Sequence, residues 1–196
     1  MPTLVVPFRG HGKSRLEPLG DGERAAVARA MLADVAAAAV EVGPTFVVSP
    51  ERAIAPAPVT HVVDPGRGQG AAVRTALVAA VALGAPSPYV VVNADLPCVR
   101  PSDLLALAQA VAGGGIAVAA AADGTTNALG LASANLFRPV YGPGSAARFA
   151  ALATSRHVQA PNLMDDVDTF DDLTRLERRV GPHTRAALAA LRAEAA

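Results

Sequence analysis

The chain has 196 residues, of which 52% are hydrophobic, and 17 basic residues balance 17 acidic ones to give a formal net charge of zero. This length and composition suit a single domain over residues 1–196 with a sizeable core. The balanced charge and the aromatic content of 4% exclude the basic and stacking surfaces of nucleic-acid binders. The one cysteine, Cys98, forms no internal disulfide, and no apolar run reaches the ~20 residues of a membrane helix. We therefore expect a cytoplasmic protein with neither nucleic-acid nor membrane partners.

Short β-branched runs alternate with Ala-rich stretches along the chain, which predicts an α/β fold. In chain order we expect a strand at 4–6, a helix at 22–42, strands at 46–48 and 59–63, a helix at 70–83, a strand at 89–92, a helix capped by Ser102 or Asp103, a strand at 116–120, and one or two helices within 175–196. Residues 123–145 are rich in Gly, Thr, Asn and Pro and are expected to handle substrate. The predicted architecture is a Rossmann-like, mostly parallel sheet flanked by helices.

Acidic residues follow apolar runs at two places, where strands would end and α/β sheets build ligand sites. Asp95 follows the strand at 89–92, and Asp166 and Asp168 lie in the segment 162–169. If that segment is a strand, Asp166 and Asp168 face the same side, and Asp95 can meet them from a neighbouring strand. Three converging carboxylates repel one another without a cation. The pattern therefore predicts a Mg²⁺ site that accepts phosphate oxygens.

Two glycine-containing loops could bind a nucleotide. The loop at 7–16 carries Arg9, Lys13 and Arg15, and its backbone amides and cations could cradle a triphosphate, although the Walker A spacing is absent. The loop at 64–70 contains Gly66 and Gly68, whose small size would let a purine or ribose approach the main chain. A solvated surface turn and a plain strand-to-helix turn are the alternatives that the residues leave open.

A third pair of loops, at 125–129 and 141–145, offers hydroxyl groups and backbone amides without a fixed charge. That chemistry suits a small anion such as a carboxylate, but ordinary turn composition would also produce it. Among the histidines, only His11 lies in a candidate phosphate loop.

Five motifs together carry a family resemblance: Lys-Ser-Arg-Leu at 13–16, Ala-Asp-Leu-Pro at 94–97, Thr-Asn-Ala-Leu at 126–129, Tyr-Gly-Pro-Gly-Ser at 141–145 and Asp-Val-Asp-Thr at 166–169. With these motifs the chain resembles the 2-phospho-L-lactate or phosphoenolpyruvate guanylyltransferases of deazaflavin coenzyme F-420 biosynthesis. The motifs occur in family order and span nearly the whole chain. The resemblance implies the nucleotide-diphospho-sugar-transferase-like form of the α/β fold.

The resemblance also implies roles for individual residues. The divalent metal would be held by Asp95, Asp166 and Asp168, and the phosphorylated three-carbon acid by Thr126, Gly142 and Ser145. The triphosphate would face Lys13 and Arg15 as catalytic residues, and the nucleotide would be bound by Arg9, Gly66 and Gly68. The chain departs from the family's residue pattern at two places in the candidate nucleotide-binding loops. Arg9 occurs where a lysine is usual, and Gln69-Gly70 occurs where Leu-Asn is usual.

The resulting hypothesis is a guanylyltransferase that joins GTP to phosphoenolpyruvate or 2-phospho-L-lactate, with Mg²⁺ as cofactor and pyrophosphate as the second product. Phosphoenolpyruvate is preferred because the Ala-rich, Lys-poor composition is typical of high-GC bacteria, in which the family member is thought to use it. One alternative is a nucleotidyltransferase for another acceptor, such as a molybdopterin or a sugar phosphate. The other is a non-catalytic nucleotide-binding regulatory protein.

Overall fold

A computed structural model of the chain describes residues 1–9, 16–56, 58–111 and 113–194. The strands are β1 (Thr3–Pro7), β2 (Thr45–Ser49), β3 (Thr60–Val63), β4 (Tyr89–Val92), β5 (Ile116–Ala120), β6 (Thr126–Leu131) and β7 (Ser155–His157). The helices are α1 (Asp21–Val40), α2 (Gln69–Ala82), α3 (Pro101–Ala110), α4 (Ser145–Ala150), α5 (Pro161–Met164), α6 (Phe170–Leu176) and α7 (Pro182–Glu194). Two short 3-10 turns lie at Arg52–Ile54 and Ala134–Leu136.

All seven strands join one sheet in the order β3-β2-β1-β4-β6-β5-β7. Neighbouring strands are parallel except at β6, which runs antiparallel to both β4 and β5. The predicted mostly parallel α/β sheet is therefore confirmed. The topology brings the carboxyl ends of β1 and β4 to the same edge, and the amino end of β6 lies beside them, so the loops after β1 and β4 and the start of β6 surround one place.

Helices cover both faces of the sheet, as the continuous apolar runs of β1, β2 and β4 require. On one face, Leu4 and Val6 of β1 pack with residues of α1, α3 and α7. On the other face, Val5 packs with residues of α2 and with Phe149 of α4. Cys98 lies in the first of these cores, and its burial raises the pKa of the thiol, so it packs as a small core residue.

Several local expectations were wrong. The segment 125–129, expected to be a loop, lies mostly in a buried strand, β6, because Thr126–Leu131 pairs with strands on both sides. Helix α3 begins at Pro101, with Arg100 as its cap and Asp103 in its first turn, where the Asp103 carboxylate accepts the Arg100 amide at 2.9 Å. Within the described residues, every helix is too short or too polar to cross a membrane.

Candidate active site

Three carboxylates meet at the carboxyl end of the sheet. Asp95 lies in the turn after β4, whereas Asp166 and Asp168 lie in the short segment between α5 and α6. One oxygen of each is within 4.8 Å of the oxygens of the other two, and all three residues are half-buried. The Val167 amide donates a 3.0 Å hydrogen bond to the Asp95 carbonyl, which fixes the segment beside β4. The structure therefore brings together the three residues that the sequence predicts as metal ligands.

The segment at 165–168 is extended but is not a strand, which corrects the expectation from sequence. Helix α5 ends at Met164 and α6 begins at Phe170, and the residues between them belong to none of the seven strands. Burial nevertheless alternates along the segment as it would in a strand, because Val167 is fully buried between the two half-buried aspartates.

The cluster has the size and chemistry of a divalent cation site. Adjacent ligand oxygens on an octahedral Mg²⁺ lie about 3.0 Å apart and opposite ones about 4.2 Å apart, given Mg–O bonds near 2.1 Å. Oxygens that lie within 4.8 Å of one another reach this geometry with small side-chain rotations. Carboxylates are also the ligand class that hard cations prefer. These three residues could therefore hold a metal ion.

Asn127 of β6 ties the acidic segment to the sheet, a role that sequence reasoning missed. Its side-chain amide donates at 3.3 Å both to the Met164 carbonyl and to an Asp166 carboxylate oxygen, and only 2% of the residue is exposed. A buried amide at this position fixes the orientation of the Asp166 carboxylate. The signal was present in the Thr-Asn-Ala-Leu motif, from which only Thr126 was assigned a role.

Asp172 holds the other end of the acidic segment. Its carboxylate accepts the backbone amides of Asp168 and Thr169 at 3.2 and 2.9 Å and the Thr169 hydroxyl at 2.8 Å, which forms the cap of α6. Burial alone would raise the pKa of Asp172, but hydrogen bonds from Thr169 and Arg175 outweigh it and hold that pKa below the usual range. The cap therefore stays ionised and fixes the backbone at Asp168.

The neighbouring Asp165 belongs to a separate ion-pair network. Its two carboxylate oxygens accept from Arg175 at 2.9 Å and from Arg179 at 2.6 Å. Arg179 also donates to the Asn162 side chain at 2.9 Å. Burial acts to raise the pKa of Asp165, but the bonds from Arg179 and Arg175 lower it. Asp165 thus stabilises the fold of the segment, whereas the carboxylate cluster consists of Asp95, Asp166 and Asp168.

The predicted nucleotide residues lie together around one cavity. A cavity of about 380 Å³ is lined by Arg9, Gly66 and Gly68, together with Pro50 and Asp64. Gly68 has a φ of +88°, and a Cβ there would lie 3.4 Å from an Arg9 guanidinium nitrogen, so the loops after β1 and β3 touch. The predicted catalytic residues Lys13 and Arg15, and also His11, lie outside the described residues.

A second cavity, of about 260 Å³, connects these loops to the acidic cluster. Its wall includes Arg9, Gln69, Asn93 and Asp95, and apolar side chains such as Met31 form the rest. Gln69 donates to the Asn93 side chain at 2.8 Å, and Asn93 donates to the Thr126 carbonyl at 3.2 Å. This chain of hydrogen bonds joins the nucleotide-side loop to the start of β6.

The predicted acceptor residues also lie next to one another. The Thr126 and Ser145 hydroxyls are hydrogen-bonded at 3.0 Å, and the two residues are 3% and 0% exposed. Gly142 has a φ of +111°, a conformation that side chains disfavour. The guanidinium of Arg148 holds this loop, since it donates to the carbonyls of Val140, Tyr141 and Pro143 at 2.6 to 3.2 Å.

Comparisons with known proteins show the family of the chain. Residues 21–179 match the family model of the MobA-like NTP transferase domain. The phosphoenolpyruvate guanylyltransferase of Streptomyces scabiei is 35% identical over 96% of this chain and 96% of its own length. The counterpart from Streptomyces avermitilis is 37% identical over 96% of this chain and 94% of its own length.

The chain belongs to the phosphoenolpyruvate guanylyltransferase family. The resemblance inferred from the five sequence motifs is thereby confirmed, and the match to the MobA-like NTP transferase domain agrees with it.

Solved structures extend the fold comparison. A provisionally assigned nucleotide-diphospho-sugar transferase from Desulfovibrio desulfuricans superimposes with a TM-score of 0.76 at 19% identity, covering 98% of this chain and 95% of that one. A Mycobacterium tuberculosis protein solved in complex with manganese has a TM-score of 0.56 at 23% identity, covering 89% of this chain and 96% of its own. The chain therefore shares its fold with both of these proteins, the second of which was solved with manganese.

Proposed function

We propose that this protein transfers the guanylyl group of GTP to phosphoenolpyruvate and releases pyrophosphate. The observation that carries the proposal is the meeting of Asp95, Asp166 and Asp168 at one edge of the sheet, beside the cavity that Arg9 and Asp95 line. Relatives that match almost the whole chain are named phosphoenolpyruvate guanylyltransferases, which supports this substrate pair. We also propose that the reaction belongs to coenzyme F-420 biosynthesis, as the sequence motifs indicate, and that the protein is cytoplasmic.

The chemistry needs little acid–base assistance. The second pKa of a phosphate monoester is about 6, so the acceptor's phosphate is mostly a dianion at neutral pH. One of its oxygens attacks the α-phosphorus of GTP, the bond to the β-phosphate oxygen breaks, and pyrophosphate leaves with that electron pair. No proton has to be removed from the nucleophile. The protein therefore contributes position and charge, and we expect no essential histidine.

The described residues can supply position and charge in distinct ways. Asp95, Asp166 and Asp168 would hold Mg²⁺, which when bound neutralises phosphate oxygens that otherwise repel each other. Arg9, with Gly66 and Gly68, would receive the nucleotide, and Thr126, Gly142 and Ser145 would border the acid. The sequence adds Lys13 and Arg15 as cations for the departing pyrophosphate.

Pyrophosphate release tests this proposal. The purified protein would be assayed with Mg²⁺ and each pairing of GTP, ATP or CTP with phosphoenolpyruvate, 2-phospho-L-lactate or no acceptor. We expect turnover that needs GTP and is fastest with phosphoenolpyruvate. Phosphorus NMR of the product should show a new diphosphate linkage between guanosine and the acid. Binding of GTP without turnover on either acid would instead favour the regulatory alternative.

A further inference from the structure

Gln69, the first residue of α2, lies between the candidate nucleotide loop and the carboxylate cluster. It directly follows Gly68, which lines the cavity of about 380 Å³ among the predicted nucleotide residues. Gln69 itself lines the cavity of about 260 Å³ together with Asp95. A nucleotide with its base beside Gly68 and its α-phosphate beside Asp95 therefore runs past Gln69.

The hydrogen bonds of Asn93 fix the direction in which the Gln69 side-chain amide points. A backbone carbonyl only accepts, so Asn93 turns its Nδ2 toward the Thr126 carbonyl, 3.2 Å away. The Asn93 Oδ1 then faces Gln69 and accepts from its Nε2 at 2.8 Å. The backbone amide of Asn93 donates to the Asn127 carbonyl at 3.0 Å, which holds Asn93 beside β6. Gln69 thus keeps its Nε2 on Asn93 and presents its Oε1 on the other side of the amide.

The Gln69 Oε1 can only accept hydrogen bonds, and within the described ranges it accepts none. Phosphate and carboxylate groups at neutral pH are also acceptors, so neither the triphosphate nor a phosphorylated three-carbon acid offers this oxygen a donor. The donors that remain on the two substrates are the ribose hydroxyls and the N–H groups of guanine. The guanine N–H groups lie at the edge of the base remote from the sugar, whereas the ribose joins the base to the α-phosphate. The ribose hydroxyls are therefore the donors that match the position of Gln69.

We propose that Gln69 binds the ribose of GTP through a hydrogen bond from a ribose hydroxyl to its Oε1, and that Asn93 positions Gln69 for this contact. The inference rests on the proposed function and deepens it, because it names a group that selects ribonucleotides over deoxyribonucleotides. Asn93 acts through Gln69 and is a positioning residue. Since Asn93 also bonds Thr126, one of the proposed acceptor residues, a single side chain supports both substrate subsites.

A contact between Gln69 and the acceptor acid is the competing interpretation. Gln69 also lines a third cavity, of about 690 Å³, whose wall includes the proposed acceptor residue Gly142. The Gln69 Oε1 would repel the acid, but the second hydrogen on Nε2 could donate to it. The affinities for the nucleotide and for the acid must therefore be measured separately.

Equilibrium binding of nucleotide analogues tests the inference without turnover. Titration calorimetry with Mg²⁺ and no acceptor would give the Kd of GTP, 2′-deoxyGTP and 3′-deoxyGTP for the unaltered protein, Gln69→Leu and Asn93→Leu. Gln109→Leu is the matched control, since Gln109 is exposed near the end of α3 and lines none of the three cavities. We expect the unaltered protein to bind one deoxy analogue roughly 3- to 10-fold more weakly than GTP, the range for one neutral hydrogen bond.

Gln69→Leu should weaken GTP binding by the same factor and abolish the difference between GTP and that analogue, because the acceptor for the hydroxyl is gone. Asn93→Leu should reduce the difference, since the Gln69 amide can then rotate, whereas Gln109→Leu should keep it. A difference that persists in Gln69→Leu would overturn the inference, because a merely structural role weakens all three nucleotides equally. Equal binding of GTP and both analogues by the unaltered protein would overturn it as well.

The KM for phosphoenolpyruvate, measured by pyrophosphate release, completes the test. We expect it to be unchanged in Gln69→Leu. A raised KM for phosphoenolpyruvate with unchanged GTP affinity would overturn the ribose contact in favour of the acceptor. If the unaltered protein distinguished GTP from a deoxy analogue through Gln69 but released no pyrophosphate with either acid, the proposed function would fail while the ribose contact stood, so the two failures are distinct.

Discussion

Replacing Asp168 with asparagine should weaken divalent metal binding without disturbing the fold. The substitution keeps the side-chain shape and an oxygen ligand but removes one of the three negative charges in the cluster. At a dielectric constant near 80, a unit charge 2.1 Å from a dication contributes about 4 kcal/mol, or roughly a thousandfold in affinity. The backbone amide of Asp168 still reaches the Asp172 carboxylate, so the segment should retain its conformation.

Manganese binding, followed by the electron paramagnetic resonance signal of the free ion, would measure this loss directly. Asp95→Asn should behave in the same way. Asp171→Asn is the matched control, since Asp171 is exposed on the first turn of α6, three residues from Asp168. Pyrophosphate release should fall with metal affinity. If Asp168→Asn bound manganese as the unaltered protein does, or if Asp171→Asn lost as much affinity, the carboxylate cluster would not be the metal site.

Three further substitutions test the supports of the site. Asp34→Ala should lower the free energy of unfolding by about 3 kcal/mol, because the buried Asp34 carboxylate accepts two backbone amides at the start of α7, both at 2.9 Å. Urea denaturation with an unchanged m value would measure this change. A loss of unfolding free energy near zero would contradict the prediction. Asn127→Leu should reduce manganese affinity while the protein stays folded, because Asp166 loses the side-chain amide that orients its carboxylate. Unchanged manganese affinity would mean that this amide is not needed for metal binding. Asp172 has a lowered pKa through its bonds to Thr169 and Arg175, so its stabilisation is complete above the unfolded carboxyl pKa and is lost as pH falls below about 4. Asp172→Asn should therefore flatten the acid limb of a plot of unfolding free energy against pH, and an unaltered acid limb would refute that assignment.

Sequence reasoning predicted the meeting of the aspartates because the carboxyl ends of parallel strands share one edge of a sheet. Tyr89–Val92 is an uninterrupted β-branched and aromatic run, and Asp95 follows it within one turn. The alternation of Asp166, Val167 and Asp168 did not require a regular strand. A single hydrogen bond from Val167 to Asp95 holds an extended loop in the same orientation.

The antiparallel strand β6 could not be predicted in the same way. Thr126–Leu131 contains an asparagine and a glycine, and it becomes a strand because β4 and β5 pair with it on both sides. The role of Asn127 depends on contacts with residues 37 and 39 positions away, which no local pattern encodes. The close contact of Gly70 at the start of α2 with Pro139 likewise joins segments far apart in the chain.

The most direct test of the account is the specificity constant kcat/KM for pyrophosphate release, measured with GTP and phosphoenolpyruvate and compared with ATP and with 2-phospho-L-lactate. The account predicts Mg²⁺-dependent turnover that requires the guanine nucleotide and prefers phosphoenolpyruvate, with loss of that turnover in Asp95→Asn. Equal rates with ATP, or full activity in Asp95→Asn, would contradict it.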